Sequence, residues 1–284
     1  MTIEALHPFA GDHAVQSVAF VLEWATPLDT ATLKAVRQLA PRFQSSFPVV
    51  QEQQQITVNV EAPKKTSKFH KPKPPVAPVA PAAQLGGIQF IHTGSQVPGS
   101  FTRMIQVQRG SCLVALNEYS RWDTVWPRVQ GWLEIVLPLV LSGRALTTLT
   151  LQYQDLFYWR DDPSHLDLRE VFQAESPYLP PNCYGQRSAW HSHHGYIEEM
   201  GGEWPGHLLN NVNVNVGDLN NQRQIATMLT HKVTFGTPVW SQERAVAALG
   251  AVMPMLHRTN KQTLQSVFSD AVRGKIGLTV QQGA

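Results

Sequence analysis

Apolar residues along this chain recur with a period of two in some stretches and of three to four in others, and the changes divide it into elements. Residues 14–25, AVQSVAFVLEWA, have the β-branched and aromatic content of a strand. TPLDTATLKAVRQLAPRF follows as a helix, with Asp29 or Thr30 as its cap and Leu33, Val36, Leu39 and Ala40 on one face. Pro41 ends or kinks it, because proline lacks the N–H and crowds the preceding turn. In VVQEQQQITVNVE, Ile56, Val58 and Val60 alternate with polar neighbours, which predicts a strand. The first sixty residues thus predict β-α-β.

Beyond residue 84 the order changes. GGIQFIHTG is a strand, and FTRMIQVQ and SCLVALNEY flank Arg109-Gly110, a tight hairpin turn. Ser120 and Asp123 have capping-box spacing before a helix from Trp122 to Leu141, whose apolar face is Trp126, Val129, Leu133, Val136 and Leu137. ALTTLTLQYQDLFYW returns as a long strand. After a proline-punctuated loop come SAWHSHHGYIEE, then HLLNNVNVNV and QIATMLTHKVTF joined by a GDLNN turn. The end is helical from Ser241 to Asp270, with a kink near Gly250 and Pro254. Its Leu264, Val267, Phe268 and Ala271 make a packing face. Runs of strands broken by single long helices predict an α+β fold of curved antiparallel sheets packed on those helices, an arrangement that two helix-grip-like halves would fit. The predicted division is 1–61 and 85–160 for a first lobe interrupted by a 62–84 linker, a connecting loop over 161–187, and a second lobe over 188–284.

Composition changes that picture in one place. The net charge is +2, yet APKKTSKFHKPKPPVAPVAPAAQ (62–84) holds Lys64, Lys65, Lys68, Lys71 and Lys73, six prolines and no acid. Taking those five lysines from the 23 basic residues leaves 18 against 21 acidic ones, a net of −3 for the rest. A stretch so poor in bulky apolar residues predicts an extended, mobile linker. It is either a loop made soluble by its lysines or a basic arm that touches nucleic acid or an acidic partner. A slightly acidic body argues against nucleic-acid binding by the whole surface. No run approaches the ~20 apolar residues of a membrane span. TIEALHPFAGDH lacks a signal peptide's basic start and apolar core, and two cysteines allow no disulfide framework. These features predict a cytoplasmic protein without membrane contact.

Candidate chemistry concentrates in WHSHHGYIEE. On a strand, His191 and His193 share a face, and His-x-His can give two imidazoles to one metal. Gly185, His191, His193 and Glu198 also match part of the cupin metal spacing, which would make His191, His193 and Glu198 ligands of a divalent transition metal. A regular strand, however, sends Glu198 to the opposite face, so that site needs a bulge near Gly195. Asp161, Asp162, His165 and His207 are further candidate partners. In NNVNVNV, Val212, Val214 and Val216 face a core while Asn211, Asn213 and Asn215 form a polar ladder. If the two strands are neighbours, His191, His193, Asn211, Asn213 and Asn215 line one polar groove for a ligand or partner. Trp122, Trp126, Trp132, Trp190 and Trp204 read as core or interface anchors. No HExxH, Walker or GxSxG pattern is present.

HPFAGDHAVQSVAFVLEWATPLD, WHSHHGYIE with LLNNVNVNV, and the closing MLHRTNKQTLQSVFSDAV, in that order, resemble an uncharacterised bacterial family scattered sporadically among genomes. The resemblance brings no catalytic residues. Its sporadic distribution suggests mobile or antiviral-defence genes. The absent catalytic constellation, the polar groove and the mobile arm predict a non-enzymatic binding or assembly protein of a multi-gene system, with neighbouring gene products as partners and no cofactor. Two alternatives stand beside it: a metal-dependent hydrolase or nuclease using His191 and His193, in which the metal generates hydroxide, and a nucleic-acid-binding module using the lysine arm.

Overall fold

The computed structural model describes residues 3–56, 83–94 and 100–278. In chain order the elements are β1 (Leu6–Pro8), β2 (Val15–Trp24), α1 (Thr30–Arg37), α2 (Ala40–Phe43), β3 (Val49–Ile56), β4 (Ala83–Thr93), β5 (Phe101–Gln108), β6 (Ser111–Leu116), α3 (Trp122–Val140), β7 (Leu146–Trp159), α4 (Leu168–Val171), β8 (Trp190–Met200), β9 (Gly206–Leu219), β10 (Gln222–Val239), α5 (Gln242–Val267) and α6 (Asp270–Lys275). The fold is α+β. The strands make one antiparallel sheet in the order β3-β4-β5-β6-β2-β7-β10-β9-β8, and β1 adds to the far end of β7. The expected halves therefore share a single continuous sheet that joins through the β7–β10 pairing. Among the described residues no helix is long and apolar enough to cross a membrane.

Local chemistry accounts for most element boundaries. Asp29 caps α1 by accepting from the Thr32 N–H at 2.7 Å, and Ser241 caps α5 by accepting from Arg244. Pro41 sits in the first turn of α2, where its missing N–H costs nothing. The β9–β10 turn is Asn220-Asn221, both left-handed at φ 53° and 60°, which is the pair a two-residue I′ hairpin requires. Helix α3 spans the expected residues, but not with the expected cap. Ser120 and Asp123 form no capping box, because the α3 N-cap is Arg121 in extended backbone without a side-chain bond. Pro127 and Pro138 both lie inside α3, which runs to Val140. Strand β4 begins at Ala83, inside the expected linker. The lysine arm, Lys64, Lys65, Lys68, Lys71 and Lys73, lies outside the described residues.

The helices cover one face of the sheet. Under α1, α3 and most of α5 lies a first core that includes Phe20, Phe43, Phe90, Leu149, Leu151 and Tyr153. Phe20 stacks on Trp122 and Trp126 at 6.1 and 5.8 Å, so α3 is seated by aromatic contact. Each fully buried side chain of this kind contributes on the order of 1.5–3 kcal/mol. A second core lies under the last turns of α5, under α6 and under the segment between β7 and β8, where Phe268 packs on Phe157 and Phe172 at 5.1 and 5.8 Å. Strand β7 crosses both cores on one face: Leu149, Leu151 and Tyr153 belong to the first, Phe157 and Trp159 to the second, and Asp155 stands between them.

Candidate functional site

The histidine strand pairs with the asparagine strand in an unbroken register. His191 is opposite Asn215, His193 opposite Asn213 and Gly195 opposite Asn211. These five polar side chains share the sheet face turned away from the helices, as the alternation of buried valines in β9 requires. The face is open: His191, His193 and Asn215 are exposed, and Asn213 donates weakly to the Met228 carbonyl at 3.4 Å.

The continuous register leaves no bulge at Gly195, and Glu198 points to the helix side, away from His191 and His193. Its Oε2 accepts from Asn210 Nδ2 at 2.6 Å. His207 bonds Glu199 at 3.2 Å, three cross-strand rows and roughly 20 Å from the His193 row. Asp161 and His165 hold each other at 3.1 Å in an exposed turn, and Asp162 caps that turn through Ser164 N–H. The structure therefore joins the histidines to the asparagines but not to a carboxylate. Among the described residues no group of three His, Cys, Asp or Glu side chains is disposed to hold a metal ion.

Where the two cores meet, the helix side of the sheet encloses a cavity of about 460 Å³, within the ~300–1,000 Å³ of small-molecule sites. Tyr153 and Asp155 of β7 line its floor. His257, Asn260 and Lys261 of α5 form one wall, Tyr119 and Trp122 another, and the segment 276–278 closes the far side. These residues meet because α5 crosses β7 diagonally and carries polar groups where its apolar stripe faces the gap between cores. Trp122 stacks on the His257 ring at 4.2 Å and 2°, and His257 Nδ1 lies 3.0 Å from the Tyr153 hydroxyl.

The cavity's electrostatics follow from burial. Burial pushes the Asp155 carboxyl up to about 6, although Thr227, donating to Oδ2 at 3.0 Å, favours the charged form. Burial also lowers His257 to about 4, helped by the charges of Lys261 and Arg258, so this imidazole is neutral at pH 7. Tyr119 is pushed up to about 12 by burial. Two cations line the α5 side of the opening, Arg258 and Lys261, and neither has an ion-pair partner among the described residues. On the Trp122 side Arg121 is engaged by Asp12 at 2.8 Å.

Two further buried polar side chains line the cavity. Asn260 is 3% exposed and neighbours His231, and His13 is 8% exposed. Behind Asn260 runs a polar chain, buried at His231 and Asn210 and ending at the exposed Glu198. Glu198 can only accept, so the Asn210 amide nitrogen faces it, and Asn210 Oδ1 is left to accept from His231 Nδ1 at 2.7 Å. Burial lowers His231 to about 4, and hydrogen bonding with the neighbouring Asn260 side chain opposes that shift.

No known family model matches this sequence, and no curated protein is similar to it. The cavity residues were not among the candidates read from the sequence. One signal was available there: Asp155 is the only charged residue in the fourteen of β7, on the same parity as Leu149, Leu151 and Tyr153. A lone carboxylate on a strand's core face marks either a buried bond or a site.

Proposed function

We propose that this chain is a binding protein for a small polar ligand held in the cavity between its two cores. The observation that carries this reading is the cavity itself, with the buried Asp155 carboxyl at its floor and the buried Asn260 amide in its wall. Asp155, an acceptor above pH 6, stands at the floor of the same space. The inner end of the ligand therefore carries hydrogen-bond donors, an amine or hydroxyls. The opening at Arg258 and Lys261 favours an anionic group at the outer end. Trp122, Leu264, Ile276 and Leu278 supply an apolar middle. Amino acids and phosphorylated sugars combine such donors with an anionic group. Binding is thus assigned to the cavity, and the His–Asn face is left without a ligand.

Calorimetric titration with a panel of amino acids and sugar phosphates tests the reading. Members with both a donor end and an anion should bind, and Asp155→Asn and Lys261→Ala should each weaken them about tenfold. For an amine-bearing ligand, affinity should fall as pH drops through 6, because protonation removes the Asp155 charge. No binding by any panel member, or binding indifferent to both substitutions, would contradict it.

A further inference from the structure

Strand β8 is one edge of the sheet, and it holds the sequence's most unusual stretch. Edge strands are normally shielded by lysine, proline, bulges or shortness. This one is eleven residues long, has no lysine or proline, and keeps a continuous register with β9. Among the described residues its backbone bonds only to β9, so every second residue turns its N–H and C=O outward. The segment around Tyr178 packs against its helix-side face, its Tyr178 carbonyl accepting from Ser192 Oγ and the Tyr178 hydroxyl meeting that of Tyr196, and among the described residues it makes no bond to the β8 backbone. Strands β3 and β4, which residues 57–82 connect in sequence, lie at the opposite edge.

We infer that β8 is the contact through which two copies of this chain pair, antiparallel, about a two-fold axis at Gly195. The strand is self-complementary. Its first half carries three histidines and its second half two glutamates. A two-fold perpendicular to the sheet keeps each side chain on its own face, so paired residues must share parity. Centring on Gly195 satisfies this and uses all eleven residues. On the open face His191 then meets Glu199 of the second copy, and His193 meets Ile197. On the helix face Trp190 meets Met200, Ser192 meets Glu198, and His194 meets Tyr196. No two like charges are opposed, and opposite or aromatic pairs at such positions are stabilising. The arrangement also covers Ile197, which is 67% exposed in the single chain, and removes both free copies of this edge. The outward face of Glu199, already bonded to His207 on one side, gains an imidazole on the other.

Sedimentation velocity of the full chain over a wide concentration range gives the test. A dimer is expected. Glu199→Lys places lysine opposite His191 twice per dimer and should weaken it about tenfold, while the double exchange His191→Glu with Glu199→Lys should restore it. Gly195→Cys should oxidise to a covalent dimer, since directly opposed residues have Cα atoms about 4.5–5.5 Å apart, within disulfide reach. A cysteine fits there, because the nearest atom to an added Cβ is the Asn210 oxygen at 3.8 Å. A monomer at every concentration would overturn the inference. So would a dimer unaffected by Glu199→Lys and not cross-linked by Gly195→Cys, or an open-ended assembly, which would mean β8 pairing with the opposite edge, β3.

Discussion

Asp155 shows how one residue couples stability to the site. Its carboxyl sits at about 6 in the fold against 3.8 unfolded, and burial is the main cause. The folded state therefore holds the proton more tightly. The associated stability is full below pH 4 and is lost as pH rises through 6. Chemical denaturation of Asp155→Asn should show that loss removed, with unfolding free energy above pH 7 raised by up to about 3 kcal/mol. A gain in stability coupled to weaker ligand binding is what a residue kept for function would show. The polar chain behind it makes the opposite prediction. Asn210→Ala removes the acceptor of His231 and the donor to Glu198 together, and should cost about 1–3 kcal/mol in the same measurement. Neither role was visible from residue type. Asparagines 211, 213 and 215 drew notice because they alternate, whereas Asn210 faces the core one position out of phase, and its partners arrive from β8 and β10.

At the scale of elements, strands and long helices were legible because their periods are set by one buried face. Ile225, Leu229 and Val233 on β10 and Val212, Val214 and Val216 on β9 are examples. That the histidine and asparagine strands could be neighbours was legible from their order, but the His191–Asn215 register was not. The α3 start at Trp122 was legible but its cap was not, because Ser120 and Asp123 match a local pattern while the helix is seated by Trp122 and Trp126 packing on Phe20. Gly206 is an element-level constraint of another kind. A Cβ there would overlap the Thr234 carbonyl oxygen, so Gly206→Ala must open the start of the β9–β10 ladder. It should lower the thermal midpoint by several degrees, an effect of about 1–3 kcal/mol, whereas Gly217→Ala, whose Cβ would meet only Ala189 at 3.8 Å, should be close to neutral.

The whole molecule is where sequence reading ran short. Two lobes were expected, and the two cores are real, but both lie on one face of one sheet and β7 runs through each. The consequence is the junction between them, where neither core closes over Asp155 and α5 brings His257, Asn260 and Lys261 across from a distant part of the chain. No periodicity encodes that meeting, because it depends on how a 26-residue helix lies over a strand distant in sequence. The central claim is that a ligand enters this junction and does not settle on the exposed His–Asn face. Nuclear magnetic resonance of the asparagine side-chain amides, recorded while a binding panel member is titrated in, tests it most directly. The amide of Asn260 should shift in proportion to occupancy while that of Asn213 stays still. A moving Asn213 with a silent Asn260 would contradict the account.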